Sequence, residues 1–179
     1  EYSYEFGGGQ TNLFIIDASA RENGNGTAPI RDVPVLDAID AMQVKVDNVE
    51  LTNTTSLVDI LKAIHLQDDI TGLQTFDRSL WDILHSSCWD DPLQLECITS
   101  GDLVFTTVSS REDMVNVVFD TLSPEIRSML MNADQGSGET KTLVYAWQPY
   151  INIQDATGLM DTIDSFLSEG GWDDATTCR

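Results

Sequence analysis

Apolar and polar positions along the chain alternate between two periods, and the switches between them predict the elements. Leu13–Asp17, entered from Gly7, Gly8 and Gly9, is a short apolar run that predicts a buried strand, and residues 21–29 predict a loop. Asp32 is placed to cap a helix in which Leu36, Ile39, Met42 (or Gln43) and Val46 recur at three-to-four spacing against an Asp-rich outer face. Val49–Thr54 is β-prone, and Thr55 or Ser56 caps a second helix with its stripe at Leu57, Ile60, Leu61 and Ile64. Asp77 is assigned as the cap of a third, with Leu80, Trp81 and Leu84.

Further on, Leu103–Val108 predicts a strand, and Ser109 with Glu112 forms a capping-box signature for a helix carrying Met114, Val117, Val118 and Leu122. Ser123-Pro124-Glu125 restarts the helix as a separate or kinked segment with Ile126, Met129 and Leu130, because proline fits the first helical position but not the interior. Residues 132–140 read as a loop and Thr142–Trp147 as a strand. Asp155 is assigned as the cap of a last helix with Leu159, Met160, Ile163, Phe166 and Leu167 on one face, stopped by Gly170-Gly171.

LDAIDAM at 36–42 and MDTIDSF at 160–166 repeat the same apolar and Asp positions after a strand, so both read as the middles of βαβ units. That alignment sets residues 48–52 opposite residues 173–177 and predicts a final strand there. The expected fold is α+β: two ferredoxin-like βαβ units sharing one sheet, helices packed on one face. Residues 1–179 form one domain in this reading, with a helical and loop insertion at about 67–100.

Composition narrows the function. Thirty acidic against nine basic side chains leave a net charge of −21, which repels phosphates and anionic lipid headgroups and argues against nucleic acid as a partner. With 41% apolar residues the chain has material for a core. Its longest apolar runs are four or five residues, far short of the ~20 that span a bilayer. It opens at Glu1 with no initiator Met and no leader pattern, which reads as a segment of a longer polypeptide.

Cys88 and Cys97 flank Trp89-Asp90-Asp91-Pro92, a composition that turns the chain, and a disulfide between them is expected. Closing about ten residues would stabilise by roughly 2.7 kcal/mol and requires an oxidising compartment. The competing reading is three reduced thiols, Cys178 included. Asn25-Gly26-Thr27 and Asn53-Thr54-Thr55 are glycosylation sequons, making Asn25 and Asn53 candidate acceptors on an exported chain.

Catalytic patterns are missing where they would be needed. Gly7-x-Gly9-x-x-Asn12 lacks the third glycine of a dinucleotide fingerprint and precedes its strand. Gln135–Glu139 lacks the outer glycines of a nucleophile elbow, and no calcium-loop spacing organises the carboxylates. His65 and His85 fall near the ends of predicted helices, where they complement the C-terminal dipole. Trp81, Trp89, Trp147 and Trp172 suit a core or an apolar ligand path. No catalytic residue, metal ligand or cofactor is assigned, and the chain reads as a non-enzyme.

FGGGQTNLFIID at 6–17, TAPIRDVPVLDAIDAMQVKV at 27–46 and TTSLVDILKAIH at 54–65 resemble the first extracytoplasmic loop of RND-superfamily exporters. The similarity continues through SLWDILH, LVFTTVSSREDMVNVVFDTLSPEIRSML and KTLVYAWQPYINIQDATGLMDTID, most of all to the MMPL-like, archaeal hydrophobe/amphiphile branch. The resemblance implies a porter-type domain outside the membrane, flanked by membrane helices and partnered by the second porter domain of the same chain. It also implies an apolar or amphiphilic small-molecule cargo and allows an oligomer. Phe76, Trp81 and Trp89 are the candidate walls of an apolar cleft, although residues 67–100 depart most from the family pattern. The rival expectation is a secreted or surface-anchored binding module.

Overall fold

Two strands and one helix set the frame. β1 (Gly9–Asp17) pairs antiparallel along its whole length with the long β6 (Gly138–Pro149), and the short β2 (Asn53–Thr55) pairs antiparallel with β6 at residues 145–147. β1 and β2 therefore run parallel to each other with β6 between them, and α1 (Val33–Asp47) makes the connection over it. β5 (Met131–Asp134) forms a hairpin with the first residues of β6, with an irregularity at Asn132/Ala133. The computed structural model describes residues 9–19, 28–49, 52–68, 76–91, 110–134, 138–149 and 153–168.

The chain divides into two units, residues 1–57 with 123–179 and residues 58–122. In the first, α1 buries the predicted stripe of Leu36, Ile39, Met42, Gln43 and Val46, and Val35 and Ala38 besides. It packs on α6 (Ile153–Ser168), whose Ile163 and Phe166 are buried, while Met160 is exposed. Polar side chains fasten α1 to β2: Gln43 Nε2 donates to Thr54 Oγ1 at 3.3 Å and Ser56 Oγ donates to Gln43 Oε1 at 2.7 Å. Asp47 Oδ1 accepts from both the backbone N and the hydroxyl of Thr54.

A second fastening closes the other end of the unit. A 3-10 turn at Pro29–Arg31 and α5 (Pro124–Leu130) each present an arginine to Glu139 at the start of β6. Arg31 Nε lies 2.7 Å from Glu139 Oε2, and Arg127 pairs with Glu139 Oε1. Gly138 adopts φ 74°, and a Cβ there would sit 3.4 Å from that of Ala28, so glycine lets β6 begin against this turn.

In the second unit, α2 (Leu57–Ala63, begun by the last residue of the first unit) leads into a β3 (His65–Asp68) and β4 (Phe76–Ser79) hairpin. α3 (Leu80–Leu84), a 3-10 turn at Ser87–Trp89 and α4 (Arg111–Thr121) follow. Arg111 binds Asp90 Oδ2 at 3.0 Å, tying the start of α4 to that turn. Val58, Leu61, Leu80, Ile83, Leu84, Met114, Val115 and Phe119 are among its buried apolar residues.

The mixed α+β class agrees with expectation, and several details are corrected. Asp32 stands at the cap position of α1, yet its side chain makes no capping bond. Asp77 lies inside β4; Ser79 caps α3, accepting from Asp82 N at 3.1 Å. Ser110, one residue later than expected, caps α4 through Asp113 N; α5 restarts at Pro124 as expected, with Ser123 accepting from Ile126 N as its cap. Val117 is exposed, because the buried side of α4 runs through Met114, Val115 and Phe119. Asp155 falls within α6 rather than before it. Residues 132–134 and 138–140 are strand, not loop, and β3 and β4 occupy part of the region expected to be helix and loop. The expected strands at 103–108 and 173–177 lie outside the described residues.

Candidate functional site

Side chains alternate across β6. Thr140, Thr142, Val144, Ala146 and Gln148 are buried on the helix side, whereas Lys141, Leu143, Tyr145 and Trp147 point to the other face. Antiparallel partners share a face, so Ile15 opposite Leu143, Leu13 opposite Tyr145 and Thr11 opposite Trp147 extend that face onto β1. Leu13 is 57% exposed, Ile15 68% and Trp147 43%. Each large aliphatic left in water forgoes about 1.5–3 kcal/mol of burial, so this face carries an unspent driving force for contact.

At the β5 end the face deepens into a groove of about 190 Å³ lined by Ile15, Met129, Leu130, Met131 and Leu143. Met129 is 62% exposed at its edge. Tyr145 donates its hydroxyl to the Met129 carbonyl at 3.0 Å, and Thr142 Oγ1 donates to the Leu130 carbonyl at 2.7 Å, so the end of α5 is pinned over the strand. Lys141 is also on the groove wall, with Nζ 3.6 Å from Asp17 Oδ2. Hydrogen bonds from Ser19 chiefly, and the charge of Lys141, hold the Asp17 carboxyl below its ordinary value, so the carboxylate stays ionised at neutral pH.

Ligand pockets that enclose a small molecule run to about 300–1,000 Å³. The groove is smaller, so it fits part of an apolar chain, and the thioethers of Met129 and Met131 adapt readily to irregular apolar shapes.

The sequence-derived candidates lie elsewhere. Trp81 is half-buried in α3, with Lys62 Nζ 5.4 Å from its ring centroid and the His85 ring 4.4 Å away. Trp89 donates its indole N–H to the Ile83 carbonyl at 2.8 Å. Both belong to the 58–122 unit, as does Phe76 in β4, whose side chain is outside the described residues. His85 follows the end of α3 with Nδ1 2.8 Å from the Trp81 carbonyl, the helix-end role expected of it. His65 instead lies in β3, its Nδ1 2.7 Å from Asp77 Oδ1.

Cys88 is buried and its sulfur is engaged in a disulfide. Cys97 and Cys178, the cysteines able to pair with it, lie outside the described residues, as does Asn25. Asn53 is exposed on β2. Among the described residues no group of three or more His, Cys, Asp or Glu could hold a metal ion, and no helix is long and apolar enough to cross a membrane.

Sequence reasoning took LFII as buried and missed Leu13, Ile15, Leu143 and Met129 as surface residues. The signal was present: both parities of β1 and β6 carry apolar side chains, so one set must face away from the helices. Compared with known proteins, the chain matches no protein-family model, no curated protein and no solved structure.

Proposed function

We propose that this chain is a non-catalytic, porter-type domain on the extracytoplasmic side of a proton-driven exporter of hydrophobic or amphiphilic compounds. The observation that carries the reading is the apolar sheet face with its groove at Ile15, Met129 and Leu143, on the side that the helices leave open. A partly wetted apolar groove holds an alkyl chain weakly and lets it move on, as a transport path requires and an enzyme site does not.

The connectivity supports it. β1-α1-β2 with β6 inserted between is a split βαβ, the opening half of a ferredoxin-like unit. β6 followed by α6 heads the second half, whose last strand would fall at residues 173–177. The Cys88 disulfide suits an oxidising, extracytoplasmic setting, and Cys97 is the partner we assign to it. The second porter domain and membrane helices of the same polypeptide would cover the rest of the sheet face and drive its opening and closing.

The full-length gene tests this directly. An apolar span of about 20 residues on each side of residues 1–179, with more spans beyond, is expected. A gene encoding a signal peptide and at most one anchor overturns the exporter and leaves a surface-anchored binding module. Flanks encoding a soluble enzyme overturn both.

A further inference from the structure

The groove lies at one end of the apolar sheet face. At the other, Trp147 lies directly opposite Asn53, and Tyr145 opposite Thr55, in the β2–β6 register. Asn53 and Thr55 are exposed, while Thr54 between them is buried and held by Asp47. The sequon Asn53-Thr54-Thr55 therefore presents both of its reactive positions on the face that carries the exposed indole.

We infer that Asn53 carries an N-linked glycan whose first sugars lie over Trp147 and cover that end of the sheet. Cross-strand partners hold their Cβ atoms about 4.5–5.5 Å apart, so a sugar on the Asn53 amide begins beside the indole. The apolar C–H face of a pyranose suits an aromatic ring, with the sugar hydroxyls left in water. Two other occupants are disfavoured by charge: a second copy brings another −21, and an acidic partner is repelled likewise. A neutral glycan covers the indole without adding charge.

The donor is a polyprenyl-phosphate- or pyrophosphate-linked oligosaccharide. Asn53 Nδ2 forms a bond to C1 of the first sugar, the C1–O bond breaks, and the phosphate leaves with the bonding pair. The amide proton passes through the transferase to water, and nothing is oxidised or reduced. The inference rests on the extracytoplasmic placement proposed above. It divides the sheet face into a sugar-covered end at Trp147 and a bare groove at Ile15 and Leu143.

The test uses the full-length protein purified from the membranes of the cells that make it. Tryptic peptide 46–62, cut after Lys45 and Lys62, has Asn53 as its sequon asparagine. Mass mapping should find it with an attached glycan; the bare peptide in mature protein overturns the inference. Hydroxyl-radical footprinting then compares wild type with Asn53→Gln and with Thr55→Ala, which removes the sequon while keeping the asparagine. Trp147 oxidation should rise several-fold in both variants, with Trp81 as an unchanged reference. A glycan present with Trp147 equally oxidised in all three overturns the covering role. A bare Asn53 on a protein with flanking spans leaves the exporter reading standing; a glycosylated Asn53 on a protein without them removes that reading alone.

Discussion

The two faces of β6 invert the usual distribution of side chains. The covered face of β6 is made of Thr140, Thr142, Val144, Ala146 and Gln148, small or polar residues that are nearly inaccessible. The uncovered face displays Leu143, Tyr145 and Trp147, joined by Leu13 and Ile15 of β1. On the covered side the helices supply the apolar bulk through Leu36, Ile39 and Met42, and small strand residues let α1 approach closely. Burial in this unit thus explains one face only. The larger strand residues on the other face stay exposed or half-buried.

This contrast ranks the expected effects of substitution. The largest belongs to Glu139→Gln, which leaves Arg31 and Arg127 without their shared carboxylate. Breaking a buried ion pair from one side costs about 3–5 kcal/mol, and denaturant unfolding should read a loss of that order. Burial pushes the Glu139 carboxyl up, but its hydrogen bonds to Arg31 and Arg127 and their charges outweigh that and hold it below the ordinary glutamate value. Its folded value is depressed, so its contribution is complete above the unfolded glutamate value and is lost as pH falls from there through the folded value. The Gln variant should lack that part of the acid sensitivity, and pH-dependent unfolding of the two proteins checks it.

Next comes Ile39→Ala on the covered side, where truncating a fully buried aliphatic should cost about 2–5 kcal/mol. The smallest effect falls on the open face: Ile15→Thr should change stability by no more than about 0.5 kcal/mol while weakening the binding of an apolar dye. A large loss of stability for Ile15→Thr would mean that the open face takes part in folding and would erase the contrast.

What was legible in the sequence follows the same division. Leu36, Ile39, Met42 and Val46 fell correctly into one stripe because a helix with one covered side has a single apolar arc. β6 was found only from Thr142 to Trp147. Its extension back to Gly138 was hidden because Glu139 and Thr140 look solvent-exposed, whereas both are buried, Glu139 against arginines 108 and 12 residues away in sequence. Ser79 outcompeted Asp77 as a cap because Asp77 is engaged with His65 across the hairpin, a tertiary contact that no local pattern announces. The stripe of α4 was set one step out of phase, admitting Val117 and omitting Val115 and Phe119, since apolar residues surround that helix on several sides. The open face was the hardest part to read, because an apolar strand residue is written identically whether helix or ligand covers it.

Photolabelling separates those two coverings. An alkyl amphiphile carrying a diazirine in its chain, applied to the full-length protein in its membrane and mapped by mass spectrometry, should label Ile15, Met129 and Leu143 and spare Ile39. Adducts that avoid these three residues while labelling other parts of the protein would contradict an open sheet face serving as part of the cargo path.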